Sequence, residues 1–149
     1  MRGLPILLLA VVAAVYGAAL DAPPAYDDAL IAAFPGRDVL GGFLHPVPRA
    51  PAGVGVPLYS YRPLFEASVL LDLRLFGPTG PALRIPNLLL HWAGSLLVLA
   101  LARRLLGDRA APWAALLFAL HPLCVPAVTY VYQRAVLLQG VLGLLTLFL

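Results

Sequence analysis

Lysine is absent from this 149-residue chain, cysteine and methionine occur once each, and only 11% of the residues are charged. With so little charge and a mean hydropathy of +0.92, a water-facing surface cannot be built around the chain, and lipid must be the solvent for most of it. The scarcity of charge also argues against nucleic acid as a partner. The arginines behind the net charge of +3 are scattered singly or in pairs and form no basic patch with interleaved aromatics. The lone Cys124 closes no internal disulfide and has no neighbouring cysteine for a metal site, so it reads as a small apolar packing residue. No glycine-rich phosphate loop, paired-cysteine motif, Gly-x-Ser-x-Gly elbow or internal repeat is found, which removes the usual signatures of soluble enzymes. The missing lysine, with abundant Ala, Arg, Gly and Pro, fits a GC-rich coding sequence and a bacterial source.

What the chain does have is apolar runs. Residues 4–20 carry no charge and follow Arg2; at ~1.5 Å per residue they cover about 25 Å, enough to span the hydrocarbon core. The rival reading is a cleaved signal peptide, with Gly17, Ala18 and Ala19 before Asp21. A second run, 85–102, is followed at once by Arg103, Arg104 and Arg109, which marks that end as cytoplasmic. The N-terminus is then cytoplasmic too, and residues 21–84, rich in acidic residues, Pro and Gly, form a long outer loop. Within that loop 27–34 and 64–76 have helical composition, the latter with Leu64, Ser68, Leu71 and Leu75 on one stripe, and read as short interfacial helices.

From Ala110 to Leu149 the only charge is Arg134, and one continuous helix of that length would be about 60 Å long, twice the bilayer core. The segment must fold back, and Pro122 and Pro126 place the reversal at 121–126. The expectation is an all-α polytopic transmembrane helical bundle: a single membrane region over 1–149 with about four spans, near 4–20, 85–102, 110–121 and 127–149. Because the last run stops at Phe148-Leu149 with no polar flank, a truncated chain is expected.

Few residues in such a chain can carry chemistry. Asp27 and Asp28 lie just outside the first span, where a carboxylate can act as a general base or hold a metal; the plainer reading is a cap on the helix that follows. Asn87, His91 and Ser95 are spaced by four and share one polar face, which should turn away from lipid towards other helices. Arg134 sits one to two turns inside the last span under this turn assignment, where it needs a partner or a wet cavity, and it marks an anion site; a later reversal would let it snorkel to the interface.

Tyr26-Asp27-Asp28, Tyr61-Arg62-Pro63-Leu64, Pro86 to His91, Leu117 to Leu123 with its His-Pro-Leu, and Tyr130 to Arg134 occur in an order and spacing that resemble a known family. It is the membrane part of the tetratricopeptide-associated O-mannosyltransferase-like proteins, within the GT-C class of glycosyltransferases. The chain departs from the family pattern at Pro126, where an acidic residue is common, and at Phe34-Pro35, where an Asn-Pro pair is common. The resemblance implies a bacterial inner-membrane enzyme that transfers a sugar from a polyprenyl-phosphate donor to a hydroxyl of a protein or glycan acceptor on the outer face. It implies Asp27 and Asp28 as catalytic residues, Asp28 also as ligand to a divalent cation, and Arg62, His91, His121, Gln133 and Arg134 as substrate-binding residues. The alternative is a non-catalytic truncated or degenerate membrane protein with a packing or interaction role. A small transporter or channel would need polar residues along both halves of the spans and a duplicated pattern, and neither is present.

Overall fold

The computed structural model describes residues 3–23, 28, 31, 44, 47–49, 58–60 and 62–149. Tyr26, Asp27 and Tyr61, the helix expected over 27–34 and the Phe34-Pro35 pair fall outside these residues in whole or in part.

Helix α1 (Leu4–Tyr16) continues into a 3-10 turn (Gly17–Ala19). A short antiparallel ladder pairs β1 (Val47–Arg49) with β2 (Leu58–Ser60) inside the segment expected to be a loop. Then come α2 (Pro63–Phe76), α3 (Gly80–Leu106), α4 (Ala111–Ala119), a 3-10 turn (Pro122–Cys124), α5 (Val125–Thr129), a second 3-10 turn (Val131–Gln133) and α6 (Arg134–Phe148). Proline opens α1, α2, α3, α4 and α5, where its fixed φ suits a first helical turn and its missing N–H costs nothing. Thr79 caps α3 by accepting from the Ala82 amide at 3.3 Å. Gly77 (φ 78°) and Gly107 (φ 84°) end α2 and α3 in a backbone region that side chains disfavour.

Helix α3 is the centre on which α1, α2, α4, α5 and α6 all pack. Its fit against α4 comes from Ala111, Ala115 and Ala119, spaced by four and fully buried, which let the two backbones approach closely. Leu8, Val12 and Tyr16 of α1, with Leu88 and Leu99 of α3, complete this core. The outward faces are apolar: Ile6, Leu105, Trp113, Leu117 and Leu147 are each more than half exposed. Buried instead are Asp72, Arg84, Asn87, His91, Ser95 and Arg134. An exterior of leucines around an interior of paired charges is a stable arrangement in lipid and an unstable one in water. The chain is an integral membrane protein by this measure.

Two helices are long and apolar enough to cross a membrane, Gly80–Leu106 and Val131–Phe148, or three if Ala111–Ala119 and Pro122–Thr129 form one bent span. The four-span expectation is therefore met only in part, since Leu4–Ala19 falls below that length. The stretch expected to reverse the chain, 121–126, instead bends the axis by 48°. Pro122 and Pro126 each begin a new helical segment there, which explains a bend without a turn-back. Tyr130, with extended backbone between α5 and the next 3-10 turn, makes the second break, and Arg134 thus opens α6.

Helix α2 forms as expected, and the leucines of its stripe are turned outward, as an interfacial helix requires. Leu64, Leu71 and Leu75 are 52%, 48% and 63% exposed, while Phe65, Glu66, Val69, Leu70 and Asp72 are buried. At a lipid boundary the leucines meet the solvent and the carboxylates need the protein, which inverts the water rule.

The Tyr16 hydroxyl donates to the Ala119 carbonyl at 3.1 Å, tying α1 to the end of α4, and its ring meets His91 edge-on at 5.3 Å. Tyr16→Phe keeps the ring contact and loses the bond, so a loss of about 1 kcal/mol of stability is expected. Reversible unfolding in mixed micelles measures it; no change would mean that the bond does not secure α1.

Candidate functional site

The polar interior gathers at one end of the bundle, where the exit of α1, Asp28, α2, the start of α3 and the start of α6 converge. Its first half is built on Arg134, which is 1% exposed. The Arg134 guanidinium donates to Asn87 Oδ1 at 2.7 Å, Ser68 Oγ at 3.3 Å, Asp72 Oδ2 at 2.5 Å and the Leu83 carbonyl at 2.6 Å. Leu83 lies in the turn loosened by Pro86, whose ring removes a donor from α3 and opens the carbonyls before it. Burial raises the Asp72 carboxyl above its ordinary pKa, while the charge and hydrogen bond of Arg134 pull it back down.

Asn87 does more than receive Arg134. Its amide nitrogen donates to the carbonyls of Val128 (3.3 Å) and Tyr130 (3.1 Å), capturing the break between α5 and α6. His91 is buried, with Nε2 at 3.1 Å from the Ala119 carbonyl and Phe118 at 5.4 Å from its ring centre. Ser95 donates back to the His91 carbonyl at 2.9 Å. The polar stripe thus faces inward, and each member has a partner within the chain.

The second half holds Asp28, with its side chain 3% exposed. Oδ1 accepts from the Tyr132 amide at 2.9 Å, and Oδ2 lies 3.9 Å from Arg84 Nη2 with no hydrogen-bonding partner among the described residues. Arg84 itself is spread over four carbonyls, those of Thr129, Leu20, Ala22 and Pro23. Asp28 and Arg84 line a cavity of about 400 Å³, with Asp21, Ile31, Gly80 and Leu83 also in its wall.

Other residues singled out from the sequence lie apart from this cavity. Arg62 is exposed and stacks over the Tyr132 ring at 5.3 Å, at one end of an apolar groove of about 340 Å³ between α2 and α6 that includes Leu64, Leu138 and Gln139. His121 is exposed, and its Nδ1 accepts from the Leu123 amide at 3.2 Å, capping the turn at the bend. Gln133 is the residue before α6 and makes no side-chain cap there. His91 and Cys124 line a third space, of about 190 Å³, among α3, α4 and α6. No group of three or more His, Cys, Asp or Glu occurs among the described residues, so these do not supply a divalent-cation donor set around Asp28.

Sequence reasoning missed Arg84 and Asp72. A signal for Arg84 existed: it lies three residues before Asn87, so the polar face of α3 begins one turn earlier than the 85–102 span suggested. For Asp72 the only signal was that a buried arginine demands an acid somewhere in the chain.

Removing one partner of the Arg134 pair strands a buried charge. Arg134→Met and Asp72→Leu are each expected to lose about 3–5 kcal/mol, whereas the variant carrying both should lose much less than their sum. A double-mutant cycle read by unfolding in micelles decides it; strict additivity would show that the pair is not coupled.

No family model, curated protein or solved structure matches this chain, and the resemblance to the GT-C glycosyltransferases rests on its motifs.

Proposed function

We propose that this chain is membrane part of a GT-C-like glycosyltransferase that moves a sugar from a polyprenyl-phosphate donor to a hydroxyl of a protein or glycan acceptor. The observation that carries the reading is Asp28 Oδ2, a buried carboxylate oxygen that no described group hydrogen-bonds, in the wall of a cavity of about 400 Å³. Buried acceptors are normally paired, and an unpaired one on a residue that lines a cavity is a functional candidate.

In this reading Asp28 takes the proton of the acceptor hydroxyl as its oxygen bonds to the anomeric carbon. The bond from that carbon to the donor phosphate breaks, and the lipid phosphate leaves with the electron pair. The apolar groove beside Arg62 suits a lipid chain with a phosphate near the guanidinium, which is the exposed arginine of the two first considered for that role. Arg134 would have to surrender a chain partner to serve there. No step is derived through a cation. The orientation belongs to the same proposal: N-terminus cytoplasmic, the Asp28 end on the outer face of a bacterial inner membrane, and α1 as a further crossing that completes four spans.

A second reading is favoured by one observation: Arg84 and Arg134 direct their donors to their own chain, as a structural membrane protein without catalysis would require. Glycosyl transfer from polyprenyl-phosphate sugars separates the two. Asp28→Asn should lower turnover by about 10²–10⁴-fold at equal membrane expression. Turnover unchanged by Asp28→Asn would remove Asp28 as the base, and no transfer by the wild type across a panel of such donors would favour the structural reading.

A further inference from the structure

Residues 21–23, just after α1, are held in an unusual way. Asp21, Ala22 and Pro23 are exposed, so this short strap gains little from packing. Its backbone is nonetheless fixed, because the Arg84 guanidinium donates from Nη1 to the Leu20 and Ala22 carbonyls at 3.1 and 2.6 Å and from Nη2 to the Pro23 carbonyl at 3.1 Å. Nε of the same group reaches the Thr129 carbonyl at 3.2 Å, at the end of α5. One side chain therefore ties the strap, α3 and α5 together at the rim of the Asp28 cavity.

Gly80 gives independent support. A Cβ there would stand 2.9 Å from Arg84 Nη1 and 3.0 Å from the Leu20 carbonyl oxygen, so a side chain at position 80 would crowd the bond between them. Arg84 Nη2 also faces Asp28 Oδ2 at 3.9 Å, too far for a hydrogen bond and near enough to offset its charge. The guanidinium thus spends its hydrogen bonds on the strap and the end of α5 and offers Asp28 only its field.

We propose that Arg84 is the positioning residue of the Asp28 cavity, a latch that holds the 21–23 strap in the cavity wall against α3 and α5. The assignment deepens the proposed function by naming what organises its site. Its test reads closure of the cavity and not turnover, so the two can fail separately.

Ile31 is 4% exposed and lines the same cavity as residues 21–23, so Ile31→Cys places a reporter in its wall. In membranes holding the full chain, the rate of N-ethylmaleimide addition at position 31 is measured by mass spectrometry, with the half-buried native Cys124 as an internal control. Arg84→Gln should raise the rate at position 31 by about fivefold or more with Cys124 unchanged, as expected for local opening. Gly80→Ala retains the charge, should act in the same direction, and covers the case in which Arg84→Gln fails to insert. An unchanged rate at position 31 in the variants would overturn the latch. So would an equal rise at Cys124, which would mean general loosening.

Discussion

A guanidinium cannot remain charged inside a lipid-embedded bundle without partners, and the arrangement around Arg134 follows from that constraint. Its four bonds reach Ser68 and Asp72 on α2 and Leu83 and Asn87 on α3, so the first residue of α6 fixes three helices to one another. Asn87 extends the constraint to the break before α6 by holding the Val128 and Tyr130 carbonyls. The path of the chain back into the membrane is thus set by polar bonds, while small alanines on α4 set the closeness of its neighbours. In lipid, where apolar burial adds little drive between helices, such bonds and close backbone packing take over the role that a hydrophobic core has in water.

The arginines divide into two kinds as a result. Arg84 and Arg134 are buried and committed to the chain, whereas Arg62 is exposed with a single aromatic face beside it. A buried arginine fits an anion site only if some of its donors point outward, and here the donors are directed at carbonyls, Asn87, Ser68 and Asp72. For a lipid phosphate, the chemistry therefore favours Arg62 at the groove. For acid–base work, it favours Asp28 in the cavity.

Much of this was legible from residue spacing, and the failures share a physical cause. The face carrying Asn87, His91 and Ser95 turns inward as its spacing implied, and Arg134 is buried as a lone charge in an apolar run suggested. Its partner was not legible, because Asp72 lies 62 positions away and nothing local selects it over Glu66. The turn at 121–126 was misplaced because proline was treated as a stop. In the structure each proline restarts a helix, and the decisive break at Tyr130 is made by Asn87, a contact between residues 43 apart. The outward turn of Leu64, Leu71 and Leu75 agrees with their reading as the apolar stripe of an interfacial helix.

Asp28 and Asp72 are met by their arginines in different ways. Asp72 is matched by a guanidinium at bonding distance, whereas Arg84 stands 3.9 Å from Asp28 Oδ2 with its own bonds made to the strap. Leaving a buried carboxylate oxygen unbonded costs about 1–3 kcal/mol, more for a charged group, so the fold would gain by letting Arg84 close that gap. Gly80 and the carbonyls of Leu20, Ala22 and Pro23 keep it from doing so. In the proposed function this local cost, maintained by several otherwise favourable contacts, falls on the carboxylate that acts as the base.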